Sequence, residues 1–311
     1  MKRLFALVSA LLLLLSGCTA KPLERTFFSM NTVMQFQIWG RDSEIGYGRI
    51  ITKLQDLESS WSATSADSVL WQLNNDNNLF QLDPGQAALL DKAEKLSIRT
   101  GGAFNPKMRL LSETWGFYNE QHRIPTQEEI SNALADPQWD LGGALKGYAG
   151  QKCAELLTEL KIDRALLNLG GNVQTYGEKE DGSPWQIAIQ NPTGGDYIGV
   201  VSVTGTMSVV TSGDYQRYFE QDGVRYHHIL DPKTGCPADS GLASVTVICR
   251  DGMTADALST ALFVMGLERG TEFWRQSDDF EAVFILSTGE IYATEGAALS
   301  GCEYEVISRE K

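Results

Sequence analysis

The sequence predicts an α+β fold. Three observations carry that reading. Helical and strand-like segments are mixed along the chain instead of alternating in regular βαβ units, the helical patterns dominate before residue 160, and strand patterns dominate after it. A chain of 311 residues with 42% apolar and 21% charged residues can bury a large core. One large domain of two intimately packed lobes, with mixed or antiparallel sheets and helices, accommodates it.

The elements follow in order. Thr32 to Trp39 alternates apolar and polar residues, with Val33, Met34, Phe36 and Ile38, and reads as a strand. Ser43 to Ser59 carries Ile50, Leu54 and Leu57 at helical spacing. Pro84 to Ile98 reads as a helix with Pro84 near its start and Gly101-Gly102 beyond its end. Thr126-Gln127-Glu128-Glu129 is a capping-box pattern that opens a helix running to Ala135. Gly147 to Leu160 is the next helix. Strands are predicted over 165–169, 185–189, 198–203 and 244–249. Tyr215 to Glu220 and Val224 to Ile229 flank Gln221-Asp222-Gly223, a hairpin signal. Met253 to Met265 and Thr271 to Gln276 read as two helices, and 282–287 and 290–294 as a second hairpin around Thr288-Gly289. No internal repeat or long linker interrupts the chain.

The N-terminus carries a targeting pattern. Lys2-Arg3 is followed by an apolar run from Leu4 to Leu15, too short to span a bilayer comfortably, and then by Leu15-Ser16-Gly17-Cys18. This resembles a bacterial lipobox. The expectation is a lipoprotein signal peptide over 1–17, a lipidated tether over 18–26 beginning at Cys18, and a folded domain over 27–311. Acyl chains on Cys18 would anchor the domain to a membrane of the bacterial cell envelope, facing the periplasm or the exterior. Cys153, Cys236, Cys249 and Cys302 show no CxxC spacing, which argues against zinc. The net charge is −14, and losing Lys2 and Arg3 makes the remainder two units more negative. A general nucleic-acid binder needs a basic surface, so that class is excluded. One anionic small molecule, recruited through a cation, is compatible.

Several short motifs carry chemistry. Asp140-Leu141-Gly142-Gly143-Ala144-Leu145-Lys146-Gly147-Tyr148-Ala149 places an acid, paired glycines and a lysine at a turn into a helix. Such a turn lets backbone approach a ligand, offers N–H groups to an anion, and supplies Lys146 as a mobile cation. Asp256 and Thr260 lie four apart on a predicted helix, so both oxygens share one face. That pair, with the Gly143 carbonyl if the helix packs on the turn, suits a hard cation such as Mg²⁺. Asn168-Leu169-Gly170-Gly171-Asn172, Thr211-Ser212-Gly213-Asp214-Tyr215 and His228-Ile229-Leu230-Asp231-Pro232-Lys233-Thr234-Gly235 are further polar turns. His228 can orient a phosphate or relay a proton. Trp61 and the turn Thr100 to Pro106, with Phe104 at its end, offer aromatic faces to a flat ring.

These pieces, together with Ser29-Met30-Asn31-Thr32 and Ala255 to Thr260, run in order through the chain after the leader and resemble the ApbE family of flavin transferases. The resemblance implies an Mg²⁺-dependent enzyme that splits FAD, moves FMN onto a Thr or Ser hydroxyl of a partner protein and releases AMP. It implies metal ligands at Gly143, Asp256 and Thr260. It implies FAD contacts at Met30, Trp61, Phe104, Asn105, Pro106, Asp140, Lys146 and Leu230. Asp256 and His228 are the residues that can assist removal of the hydroxyl proton. The acceptor it implies is a membrane redox subunit exposing an Asp-Gly-Ser/Thr-Gly-Ala-Ser/Thr segment. Three positions depart from the family pattern: Asn31 replaces a Gly, Asn105 replaces an Asp, and Gln151 replaces an Asp. Two other readings use the same residues, an FAD pyrophosphatase with water as acceptor and a non-catalytic FAD-binding lipoprotein.

Overall fold

The structure, a computed structural model, describes residues 21–75, 82–118 and 121–310. The predicted signal peptide and Cys18 lie outside the described residues.

Strands β1 (Leu23–Ser29) and β2 (Thr32–Trp39) open the fold as an antiparallel hairpin. Residues 23–26, expected in the tether, are therefore sheet. Leu23 and Phe27 pack inward, and every residue of β1 has a partner in β2. Helix α1 (Ser43–Trp61) follows, then α2 (Val69–Asn75) and α3 (Pro84–Arg99). The α3 start is fixed by Pro84 in the first turn and a capping box. Asp83 Oδ1 accepts from Gln86 N at 2.8 Å and Gln86 Oε1 accepts from Asp83 N at 3.0 Å. Helix α4 (Arg109–Thr114) was not legible in the sequence. Helix α5 (Gln127–Ala135) begins at the predicted Thr126–Glu129 box, with both reciprocal bonds formed. Helix α6 (Leu145–Glu159) starts two residues earlier than expected.

Strands β3 (Arg164–Leu169), β4 (Asn172–Tyr176), β5 (Trp185–Gln190), β6 (Tyr197–Val203) and β7 (Ser208–Gly213) come next. The short hairpin of β8 (Tyr218–Gln221) and β9 (Val224–His227) turns at Asp222-Gly223, whose φ values of 54° and 75° make the left-handed turn that the sequence signals. Strand β10 (Leu242–Cys249) leads into helix α7 (Gly252–Arg275). Two helices were expected here. Both form: the helical run divides at Gly266, whose φ of 77° and ψ of 175° are not helical, so the first helix ends at the predicted Met265 and the second starts before the predicted Thr271. Strands β11 (Phe280–Leu286), β12 (Ile291–Thr294), β13 (Leu299–Ser300) and β14 (Glu305–Ile307) complete the chain.

Nine strands form one sheet in the order β1-β2-β3-β4-β7-β10-β11-β12-β14. Each neighbouring pair is antiparallel except β12 with β14. The sheet runs through both halves of the molecule and is covered on both faces. Side chains alternate across a strand, so Val245, Val247 and Cys249 of β10 point into the helical layer around Leu258, Leu262 and Phe263. Ile248 points to the other face, where Trp185, Ile187 and Val201 of the three-stranded sheet β13-β6-β5 pack. Burial on both faces explains why all eight residues of β10 are buried.

Helices α6 and α7 cross near their starts. A Cβ on Gly147 would lie 2.0 Å from Gly252 O, and one on Gly252 would lie 2.2 Å from Gly147 O. Only glycine allows backbones this close. The first-turn amide of Gly147, which has no partner inside its own helix, donates to Asp256 Oδ2 at 2.9 Å. Ala144, at the cap position, makes no side-chain bond, so Asp256 of α7 caps α6 from outside. Gly147→Ala should lower stability by about 1–3 kcal/mol or more through overpacking. Urea unfolding checks it: the midpoint should fall while the slope stays unchanged.

Candidate functional site

A cleft of about 570 Å³ opens where loops from both halves of the sheet converge, within the range of about 300–1,000 Å³ usual for small-molecule sites. Its wall is built from segments that the sequence singles out as polar turns. The β1–β2 tip gives Met30, Asn31 and Thr32, the turn before α4 gives Phe104 and Asn105, and the lead into α6 gives Asp140, Gly142, Gly143 and Lys146. The β3–β4 turn gives Gly170, Gly171 and Asn172. The end of β7 gives Thr211 and Ser212, the loop after β9 gives His228 and Leu230, and α7 gives Asp256 and Thr260.

Two expected contacts are not on this wall. Trp61 is 5% exposed and packs with Phe104, Leu141 and Ala144 in the core beneath the cleft. An apolar ring at the end of α1 gains more from that cluster than from an open cleft. Pro106 is buried, and its carbonyl accepts from Asp140 N at 2.7 Å. It holds the Asp140 segment in place from behind. Sequence reasoning missed Tyr118 and Arg217, which also line the cleft. An arginine beside a hairpin and a tyrosine in the aromatic run Trp115 to Tyr118 carry no spacing signal.

The hairpin tip is strained. Met30 has φ 48° and Asn31 φ 60°, a left-handed pair at a two-residue turn between Ser29 and Thr32. For residues other than glycine this conformation costs roughly 1–2 kcal/mol each, least for Asn. Asn31 is thus a workable substitute for the family's glycine. Two contacts hold the tip. Glu58 of α1 accepts Ser29 Oγ at 2.7 Å and Met30 N at 2.9 Å. On the other side Thr32 fills the space beside Gly170, where a Cβ would come within 2.1 Å of Thr32 Oγ1.

On the opposite wall the candidate cation ligands meet. A Cβ on Gly143 would lie 3.4 Å from Thr260 Oγ1, so the turn rests directly on that hydroxyl. Thr260 stands one helical turn after Asp256, which is 3% exposed. Asp256 Oδ2 is used by Gly147, while Oδ1 takes no hydrogen bond among the described residues. Ser212 Oγ is 3.4 Å from Thr260 Oγ1 and 2.8 Å from Ser259 Oγ. The donors are hard oxygens, one carboxylate with hydroxyls and backbone, and among the described residues no group of three His, Cys, Asp or Glu side chains assembles. That set fits Mg²⁺ and not a zinc-type site.

The two adjacent histidines have separate roles. His227 is in the core, with Nε2 3.1 Å from Ala238 O and its ring edge-on to Phe263. Burial lowers its pKa. His228 faces the cleft, with Nδ1 3.1 Å from Arg217 O. A carbonyl can only accept, so Nδ1 carries the proton and Nε2 is an acceptor. Protein covers His228 only in part, but the cleft is closed enough that desolvation, reinforced by the Arg217 guanidinium and then by the Lys146 ammonium, pushes its pKa down to about 3. Asp140 Oδ1 accepts from Gly142 N at 2.8 Å. Burial and the bond to Asp140 raise the Tyr118 phenol well above its usual value, and burial beside Asp214 pushes Tyr215 up to about 12. Lys146 and Arg217, two neutral phenols and the carboxylates of Asp140 and Asp256 thus face the cleft together, a mixed set that can hold an anion through the cations.

An α+β domain with such a cleft, an oxygen-donor cluster on one wall and two cations beside it has the form of a small-molecule site. This chain belongs to the ApbE family, whose profile matches residues 30–284. It is 33% identical over 284 residues to the FAD:protein FMN transferase of Treponema pallidum (strain Nichols), covering 79% of this chain and 78% of that one. It is 31% identical to the FAD:protein FMN transferase of Klebsiella pneumoniae (strain 342), covering 84% and 88%. Among solved structures, the ApbE protein from Thermotoga maritima superposes with a TM-score of 0.82 at 32% identity, covering 88% of this chain and 97% of that one. The flavin transferase ApbE from Vibrio cholerae gives 0.76 at 27% identity, covering 89% and 98%.

The depressed His228 pKa has a sign that can be measured. Between pH 6.5 and about 3 the unfolded chain binds this proton and the folded chain does not, so this group makes stability fall as pH drops through that window. His228→Gln should flatten that part of the stability–pH curve. In the native protein the His228 imidazole resonances should not titrate between pH 7 and pH 5.

Proposed function

We propose that this chain is an FAD:protein FMN transferase that attaches FMN through a phosphoester bond to a Thr or Ser of a partner protein and releases AMP. Membership of the ApbE family and relatives named for that activity support the reading. The observation that carries it is the meeting of Asp256, Thr260 and Gly143 on one wall of the cleft, with Lys146 and Arg217 also lining it.

Asp256 Oδ1, the Thr260 hydroxyl and the Gly143 carbonyl would hold Mg²⁺. When bound, that ion neutralises charge on the pyrophosphate oxygens of FAD. Lys146 and Arg217 add positive charge to the same space, and the Gly142-Gly143 and Gly170-Gly171 turns let phosphates come close to backbone. Phe104, Met30 and Leu230 supply apolar surface for the ring system, and Asp140 an acceptor for its polar edges. The acceptor hydroxyl oxygen forms a bond to the FMN-side phosphorus. The bond from that phosphorus to the bridging oxygen breaks, and AMP leaves with that oxygen. Such transfer depends on positioning and charge neutralisation more than on covalent assistance. His228 Nε2, an acceptor with a pKa of about 3, orients the incoming hydroxyl but does not keep its proton at neutral pH. The proton passes to solvent.

The partner in this reading is a membrane redox subunit with an Asp-Gly-Ser/Thr-Gly-Ala-Ser/Thr segment. The N-terminal pattern ending at Cys18 supports a lipid anchor in the bacterial cell envelope, which would hold the enzyme on the same surface as such an acceptor.

Asp256→Asn keeps an oxygen for the Gly147 amide and removes the charge. It should fold and should lose FMN transfer by at least about a hundredfold. In-gel flavin fluorescence of a segment-bearing acceptor, with FAD and Mg²⁺, measures this; undiminished labelling refutes the ligand assignment. Chelation with EDTA should abolish labelling, and added Mg²⁺ should restore it. Free FMN without a covalent adduct in the mass spectrum of the acceptor would make the protein a pyrophosphatase instead.

A further inference from the structure

We propose that Glu58 is a positioning residue for the flavin-transfer site, holding the β1–β2 tip in its left-handed turn so that Met30 and Thr32 stand correctly on the cleft wall. This rests on the functional reading above. Glu58 lies on the last turns of α1 and is not part of the cleft wall. It is half-buried and makes no ion pair among the described residues. Both of its oxygens go to the tip, Oε2 to the Ser29 hydroxyl at 2.7 Å and Oε1 to the Met30 amide at 2.9 Å. A carboxylate placed there for solubility would point to water. One placed for charge would have a cation.

The tip needs this hold because neither of its central residues is glycine. Met30 at φ 48° and Asn31 at φ 60° both sit where a side chain is disfavoured. A two-residue hairpin of this kind prefers Asn-Gly or a similar pair, and here a Met occupies the first position and Asn the second. Hydrogen bonds to an ionised acceptor are about twice as strong as neutral ones, so the carboxylate can fix a turn that the local sequence does not favour. The Met30 side chain and the Thr32 side chain then enter the cleft from a fixed backbone, with Thr32 seated against Gly170. The same helix ends in Trp61, packed under Phe104, so one rigid element supports both the rim and the floor.

The test compares three variants of the full-length protein. Glu58→Ala removes both bonds. Glu58→Gln keeps a carbonyl oxygen for the Met30 amide and an NH₂ that can donate to Ser29 Oγ. Asn31→Gly in the Glu58→Ala background relaxes the turn without restoring the carboxylate. Glu58→Ala should raise the KM for FAD, and the Kd read from flavin fluorescence, by roughly ten- to a hundredfold, with a much smaller change in kcat. Glu58→Gln should stay within about threefold of the parent, and Asn31→Gly should recover part of the loss in the double variant. Amide hydrogen exchange at residues 30–32 should accelerate in Glu58→Ala and not in Glu58→Gln, a readout that needs no activity. Unchanged exchange at the tip, or a KM within twofold of the parent in Glu58→Ala, overturns the proposal. So does a loss that tracks the urea midpoint and is not recovered by Asn31→Gly. A parent protein that binds no FAD and labels no acceptor overturns the functional reading instead, while the exchange measurement still decides whether Glu58 holds the tip.

Discussion

The crossing of α6 and α7, glycine against glycine, is the constraint on which the site depends. Gly147 and Gly252 meet backbone to backbone, and this brings the second turn of α7 beneath the first turn of α6. Asp256 then satisfies the Gly147 amide with one oxygen and keeps the other toward the cleft. A negative group at a helix start is favoured by the helix dipole, so a buried carboxylate is stabilised before any ligand arrives. The same contact sets Gly143 against Thr260. The contact that fixes the fold therefore also sets the geometry of the proposed cation ligands.

The nine-stranded sheet decides which loops can share a site. Its order places β3, β4 and β7 side by side, so the β3–β4 turn and the end of β7 emerge together. The central strands are packed on both faces, so the cleft is built from the loops at their ends. Some polar residues inside the sheet are satisfied locally, whereas Asn172 Nδ2, Ser244 Oγ and Glu281 Oε2 are buried with no hydrogen-bond partner among the described residues. Thr175 Oγ1 donates to Gly205 O at 2.8 Å, and Ser208 Oγ donates to Gln174 Oε1 at 2.6 Å. Those bonds keep β4 and β7 in register without a continuous apolar run.

Charge is distributed with the same economy. The chain carries a net −14, yet Lys146 and Arg217 both line the cleft, and desolvation, reinforced by those two charges, keeps His228 neutral. Lys146 and Arg217 share the cleft wall with the carboxylates of Asp140 and Asp256, so both signs of charge are available to a ligand there. The neutral imidazole, bonded through Nδ1 to the Arg217 carbonyl, presents a lone pair without adding to that positive charge.

Much of this was legible in the residues. The capping box at Thr126, the turn at Asp222-Gly223 and the alternation in Thr32 to Trp39 are local signals, set by neighbours within a few positions, and the structure follows them. So are the i, i+4 pairing of Asp256 with Thr260 and the paired-glycine turns. Strands β4 and β7 were hidden because their buried polar residues break the alternation, and the pairing of one with the other joins segments 34 residues apart. Trp61 packs in the core, and an aromatic at a helix end reads alike in sequence for core and cleft. Arg217, Tyr118 and the Glu58 hold on Met30 have no signature in spacing at all. The sequence by itself determined the elements with local signals, the shared helix face of Asp256 and Thr260, and the family. Only the tertiary structure decided which face of each turn meets the cleft and which residue supports it from behind, because those choices are made by contacts between segments far apart in the chain, which no local pattern encodes.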